Sequence, residues 1–350
     1  MAPRLAVLFV VDPLDALKAY KDSSVAMARE LAARGHRVFA CTTAQLALRG
    51  GRVQGEATEL ELRADDHDWY VARGSAWTAL TDFDAVLMRK DPPFDVEFLA
   101  ATLLLSRAQA MGARVFNDPQ ALRDHNEKLA IAEFPQFTVP TLVTRDARLV
   151  REFHAEQRDI VVKPLDGMGG RGVFRLRAGD PNFNAIVETL TEYGARTIMA
   201  QRFIPAIADG DKRVLLIDGE PVPYCLARVP QPGESRGNLA AGGIGRAQPL
   251  SECDLRIARA LGPVLAARGL LLVGLDVIGE YLTEINVTSP TCFVEITQQT
   301  GCNVAALFVD ALERKVGSPE SGVRSTSTRA ATPDPRPDSR LPTPDPRRPS

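Results

Sequence analysis

The sequence predicts an α/β unit with a mostly parallel sheet, then an α+β half built from antiparallel hairpins, then a disordered proline-rich end. Three observations carry this. Short apolar runs alternate with helical stretches up to about residue 120, paired strand signals dominate from 141 onward, and the last 34 residues hold 8 of the chain's 25 prolines. Strand and helix in alternation make a parallel sheet, whereas strands joined by turns make an antiparallel one.

Taken in order, residues 5–11 are apolar enough for a buried strand, 23–34 run helical to a stop at Gly35, and 38–41 form the next strand. That is a βαβ opening. Period-two alternation over 57–72 predicts an inserted hairpin, and 85–88 a short buried strand. A helix over 96–111 stops at Gly112 and leads into a strand over 114–116. Asp118 and Pro119 read as N-cap and first position of a helix that runs through Lys128. From 141 come a strand, a helix over 147–157, a strand over 160–163, a glycine loop, a strand over 173–177 and a helix over 183–193. Two hairpins follow, 213–217 against 222–227 and 271–278 against 281–287. Residues 317–350 are mostly Pro, Ser, Thr, Arg and Asp, the composition of a disordered tail.

At 350 residues and about 150 per domain, the chain has room for two or three domains. Lys and Arg total 42 against 44 Asp and Glu, so no global field draws the chain to nucleic acid or an anionic membrane. The five cysteines, with no CxxC pair, fit neither a disulfide framework nor a zinc ribbon. No run reaches the ~18 apolar residues of a membrane span. The first apolar run meets Asp12 and Pro13 too soon for a signal segment, so a reducing cytoplasm is the expected compartment.

The stretch VVKPLDGMGGRGVF holds Gly167, Gly169, Gly170 and Gly172. It matches G-x-G-x-x-G, yet a dinucleotide site needs a helix directly after the loop, and 173–177 alternate as a strand. The residues point instead to a glycine flap that lays backbone N–H groups over phosphate oxygens, with a tight hairpin turn as the plainer reading. Lys163, at the end of the strand entering the flap, and Lys128, in HNEKLA, supply cations for those phosphates; taken singly, each also reads as a solvated surface residue.

Glu284 and Asn286 stand two apart on a strand and share a face. If Gly279 and Glu280 turn the chain, Asp276 falls opposite Glu284, and three oxygen donors converge as a hard-cation site that suits Mg²⁺. The alternative is a polar hairpin with a capping Asp. Arg213 and Arg228 lie near the two ends of a hairpin turning at Asp218 and Gly219, where both can grip one anionic carboxylate or acyl phosphate. Arg236 sits in the Gly- and Ala-rich loop 230–245, read as a water-excluding lid or an ordinary exposed loop. Cys225 reads as a core residue, and no His has a Cys or Ser partner at an informative spacing.

The stretches KDSS, LMRKDPPFD, LRDHNEKL, KPLDGMGG, DGDKRVL, DGEPVPYCLAR, RGNLAAGG, VGLD and TEINVTSPT, in this order across roughly residues 1–316, resemble the ATP-grasp superfamily and, within it, the bacterial glutathione synthetases. The resemblance implies a pre-ATP-grasp α/β domain over 1–121, an ATP-grasp domain over 122–316 with a lid about 130–203, and the tail over 317–350. It implies ATP-dependent joining of γ-glutamylcysteine to glycine through an acyl phosphate, giving glutathione, ADP and phosphate, with Mg²⁺ or in its place Mn²⁺. It further implies a homo-oligomer, commonly a tetramer.

By the same resemblance Gln201, Phe203 and Ile204 form the adenine edge, and Asp211 lies near the ribose or caps a turn. Arg213, Arg228 and Arg236 serve the reacting groups. Lys21, Asp22, Ser23, Arg89 and Ser289 fall in substrate segments, although Asp22 and Ser23 also suit helix caps. Two departures stand out. Ile244 takes a lid-loop place where the family can carry a basic residue, and the tail has no counterpart, so a chain ending at Val316 is expected to stay active. A different ATP-grasp carboxylate–amine ligase would share the nucleotide and metal residues. A non-catalytic ATP-binding relative should have lost some of them, and a dehydrogenase rests on the glycine string alone.

Overall fold

A computed structural model of the chain describes residues 4–233, 237–239 and 242–317. Among the described residues the strands form three sheets. The first opens with β1 (Ala6–Val10), helix α1 (Ser23–Ala33) and β2 (Arg37–Cys41), the βαβ unit read from the pattern. Then come β3 (Leu46–Arg49), β4 (Arg52–Leu62), β5 (Tyr70–Ala79), β6 (Ala85–Met88), α2 (Val96–Ala110), β7 (Val115–Phe116) and α3 (Pro119–Asp124). The strand order is β3-β4-β2-β1-β6-β7, with β5 on β4. Pairing is parallel among β2, β1, β6 and β7 and antiparallel among β3, β4 and β5, so the inserted hairpin is longer than the alternation over 57–72 and extends the sheet sideways.

Asp22, Asp95, Asp118 and Asp146 cap the starts of helices with their carboxylates, and Ser251 with Asp254 makes a capping box. The helix after Asp118 ends at Asp124, not at Lys128. His125 leaves helical geometry at ψ 84, and Asn126 Oδ1 accepts from the N–H groups of Lys128 (3.2 Å) and Leu129 (2.9 Å), which opens a separate 3-10 turn over Leu129–Glu133.

The second sheet has the order β10-β9-β11-β8, from β8 (Thr141–Thr144), β9 (Asp159–Pro164), β10 (Phe174–Arg177) and β11 (Ile198–Arg202). Helices α4 (Ala147–Gln157) and α5 (Phe183–Thr191) cover it around a small core of its own, including Val150, Ile160, Leu176 and Val187. The third sheet has the order β14-β13-β12-β15-β16, from β12 (Asp211–Ile217), β13 (Glu220–Val229), β14 (Ile244–Pro249), β15 (Leu272–Ile278) and β16 (Tyr281–Asn286). Ile244 opens β14 half-exposed, opposite Val229.

Helices α6 (Glu252–Ala267), α7 (Phe293–Thr300) and α8 (Val304–Gly317) complete the chain. Phe293, Phe308 and Leu312 pack with Val7 and Leu31 of the first sheet region and Leu215 of the third, so these two sheets share a core, while the second has one of its own and joins the larger cluster through Met199. Each fully buried large apolar side chain adds about 1.5–3 kcal/mol to that docking. Among the described residues no helix is long and apolar enough to cross a membrane. All five cysteines are free, and Cys225 is fully buried.

Candidate active site

The β15–β16 hairpin turns at Gly279 and Glu280 and sets Asp276 opposite Glu284 and Gly274 opposite Asn286. The three candidate metal residues therefore stand together at one cleft, between the second and third sheets. Asp276 is 2% exposed. Its carboxylate accepts from Arg213 Nε at 2.5 Å and Nη2 at 3.1 Å, and from Arg228 Nη2 at 2.9 Å. Burial alone pushes this carboxyl up, but the two guanidinium groups outweigh it and hold it well below the usual range. Arg213 can lie this way because position 274 is glycine: a Cβ there would stand 2.8 Å from Arg213 Cδ.

Glu284 is the counterpart for the lysines. Its Oε1 lies 3.2 Å from Lys163 Nζ and 3.6 Å from Lys128 Nζ, so the second sheet reaches the third through Lys163. Burial raises this carboxyl too, and the lysines bring it down below its ordinary value. Lys128 also donates to the carbonyl of Gly167 at 2.6 Å, which ties it to the glycine flap. The flap joins β9 and β10, and Gly169, Gly170 and Gly172 all take positive φ there, which side-chain-bearing residues rarely adopt.

Two adjoining cavities fill the cleft. One, of about 100 Å³, is lined by Lys163, Gln201, Phe203, Ile204 and Asp211. The other, of about 180 Å³, is lined by Lys128, Gly167, Gly169, Arg213, Arg228 and Asn286, together with Ser289 and Thr288. Asp276 and Glu284 border both. In the first, Arg175 stacks on the Phe203 ring, 3.4 Å from its centroid, and Asp159 holds it through two hydrogen bonds. The N–H of Phe203 is spent on the Asp159 carbonyl. Asp211 accepts from Arg228 through Oδ2, while its Oδ1 is buried with no partner among the described residues. Burial pushes this carboxyl up to about 7, with Asp276 and Glu284 adding to the rise against the pull of Arg228.

The model of the prokaryotic glutathione synthetase N-terminal domain matches residues 5–123, and that of the prokaryotic glutathione synthetase ATP-grasp domain matches 127–301. The chain belongs to the prokaryotic glutathione synthetase family. A glutathione synthetase of Ralstonia nicotianae is 63% identical over 319 residues, covering 91% of this chain and 98% of that protein. One of Nitrosomonas europaea is 57% identical over 315 residues, covering 89% and 98%. Solved structures of D-cycloserine synthetase (TM-score 0.63, 16% identity, 89% of this chain and 99% of that one) and of D-alanyl-alanine synthetase A from Vibrio cholerae (0.55, 13%, 90% and 99%) share the ATP-grasp fold. As a glutathione synthetase family member the chain is an ATP-dependent, ADP-forming ligase that produces glutathione.

In this glutathione synthetase fold none of Lys21, Asp22, Ser23 and Arg89 lines either cleft cavity. Asp22 spends Oδ1 on the N–H groups of Ser24 (2.7 Å) and Val25 (3.0 Å) as the α1 cap, and Ser23 Oγ accepts from Phe293 N at 3.3 Å. Arg89, buried, donates to Ser24 Oγ and to the Pro290 carbonyl at 2.9 Å; burial lowers its basicity. Lys21 is exposed beside Tyr20. Of the five, only Ser289 borders the cleft cavity. Arg236 lies outside the described residues, but its neighbours Gly237, Asn238 and Leu239 line the cleft. Pattern reading missed Arg175, whose signal was an Arg on the strand leaving the flap. It also missed Glu127, which stands next to Lys128 in HNEKLA.

The donor set fits a hard divalent cation. It comprises two carboxylates and one amide, and Asn286 Nδ2 donates to the Gly274 carbonyl at 3.2 Å, which leaves the amide oxygen as its coordinating end. Among the described residues no cluster of three or more His, Cys, Asp or Glu side chains offers a rival site. Four cations, Lys128, Lys163, Arg213 and Arg228, stand against three carboxylates, Asp211, Asp276 and Glu284. Phosphates entering such a cleft would compete for the cations and so free the carboxylates for a metal.

Proposed function

We propose that the cleft joins the cysteinyl carboxylate of γ-glutamylcysteine to the amine of glycine at the expense of ATP, with Mg²⁺, or in its place Mn²⁺, held by Asp276, Glu284 and Asn286. The observation that carries this reading is the face-to-face Asp276 and Glu284 pair bordered by four cations. Mg²⁺ would neutralise charge developing between the β- and γ-phosphates. Lys128, Lys163 and the flap of Gly167, Gly169 and Gly170 hold the phosphates in line. Gln201, Phe203 and Ile204 meet the base, and the unpartnered Asp211 oxygen suits a ribose hydroxyl donor.

The substrate carboxylate attacks the γ-phosphorus and ADP leaves. The glycine amine then attacks the acyl carbon, phosphate leaves, and the amine loses its proton. Arg213 and Arg228 stabilise the oxygens that gain charge in both steps, and Arg236 with its loop keeps water from the acyl phosphate. Ser289 meets γ-glutamylcysteine directly. Lys21, Asp22, Ser23 and Arg89 act on that end of the site through the 287–290 turn and α7, which Arg89 and Ser23 grip. Residues 1–121 act as the first unit, 122–316 as the ATP-grasp unit and about 130–203 as its lid.

The test is phosphate release from ATP and Mg²⁺ by the purified protein, with γ-glutamylcysteine and glycine together and each omitted in turn, and glutathione identified by mass. Turnover that needs both, with one glutathione per phosphate, is expected. Tight ATP binding with no turnover on this pair would sink the substrate assignment and favour another carboxylate–amine ligase.

A further inference from the structure

We propose that Glu127 is a positioning residue that straps Lys128 to the open edge of β16 and so sets the register between a phosphate cation and the oxygens of Glu284 and Asn286. The inference rests on the reading of the cleft just given. β16 is the outer strand of its sheet and bonds to β15 on one side only. Its other edge presents main-chain N–H groups that need acceptors. The Glu127 carbonyl accepts from Ile285 N at 2.8 Å. Its carboxylate Oε1 accepts from Val287 N at 3.0 Å, Thr288 N at 3.1 Å and the Thr288 hydroxyl at 2.7 Å.

Four donors thus converge on one residue, three of them on one oxygen. Along a strand, N–H groups two apart leave by the same edge and side chains two apart share a face. Ile285 and Val287 turn their N–H groups to Glu127, while Glu284 and Asn286, alternating with them, carry the cleft donors. The residue after Glu127 is Lys128, and the Asn126 side chain caps its N–H from the other side. The chain at 127–128 therefore has little freedom to slide along β16. The negative charge on Glu127 strengthens all three carboxylate bonds, although a neutral amide oxygen at the same place can still accept them. Groups that hold metal ligands in place typically cost about 10–100-fold in affinity or activity when removed.

The experiment compares the wild type, Glu127→Gln and Glu127→Ala by calorimetric titration with ADP, with and without Mg²⁺, alongside ligation turnover and thermal melting. Glu127→Ala is expected to bind ADP alone nearly as the wild type does, but to lose roughly 10–100-fold of kcat and of the Mg²⁺-dependent gain in ADP affinity. Glu127→Gln should recover most of both. A purely architectural role would weaken ADP binding equally with and without Mg²⁺ and leave Gln no better than Ala, and that result overturns the proposal. So does wild-type behaviour of Glu127→Ala. Should Glu127→Ala not fold, Thr288→Val removes a single donor; a smaller loss confined to the Mg²⁺-dependent gain is expected, and no change overturns the strap. If the wild type makes no glutathione from the proposed pair, the substrate reading fails, while the calorimetry still decides the strap.

Discussion

Asp211 shows how one residue's surroundings set its chemistry. Its carboxyl, ordinarily at 3.8, is pushed up to about 7 by burial and by the neighbouring acids, so the folded protein keeps a proton that the unfolded chain releases. Such a group adds stability that is complete below its unfolded value and is lost as pH rises through the folded one. Asp276 and Glu284 shift downward from 3.8 and 4.5, so their contributions change below that window. The ligand-free wild type is therefore expected to lose melting temperature from about pH 5 to about pH 7 relative to Asp211→Asn. Calorimetric scans across that range check it, and parallel curves for the two proteins would refute it. At this scale the sequence was informative about identity and silent about partners. Two-residue spacing placed Glu284 beside Asn286, yet nothing local showed that Asp276 is held by Arg213 and Arg228, or that Asp22 is spent on a helix cap.

In the proposed reading of the cleft, the glycine flap is the element on which nucleotide capture depends. Arg171 lies exposed within it, and Lys128 tethers it at Gly167. If phosphates draw the flap down, trypsin should cut after Arg171 more slowly in the presence of ATP and Mg²⁺ than in their absence. Mass spectrometry of timed digests reads this, and unchanged cleavage would remove the flap from phosphate binding. Strands with strong alternation or dense apolar content were legible, as at 85–88 and over the β15–β16 hairpin. Less regular elements were not. β14 is largely exposed on both faces, α6 carries Pro263 in its interior despite the capping box at Ser251, and α7 follows Cys292, at φ 87, with no side-chain cap. The helix after Asp118 was overextended because the Asn126 turn competes with the helix through side-chain bonds that periodicity does not weigh.

For the whole molecule, the C-terminal helices bind the first sheet to the third. Arg34 reaches Asp310 and Glu313, and Arg114 donates to the Val316 carbonyl at 3.1 Å. The described structure ends with α8 at Gly317, and the proline-rich residues beyond it lie outside the described residues. A chain ending at Val316 keeps these contacts and is expected to match the full chain in turnover and melting temperature. Loss of either would give the tail a part in the enzyme. By itself the sequence determined which segments alternate, where most helices start, and which donors share a strand face, since these follow from covalent geometry over a few residues. Only the tertiary structure decided that Lys163 meets Glu284 across 121 positions and that Glu127 meets Thr288 across 161. Such pairings depend on which apolar faces bury one another, and burial is a property of the packed sheets that no local spacing encodes.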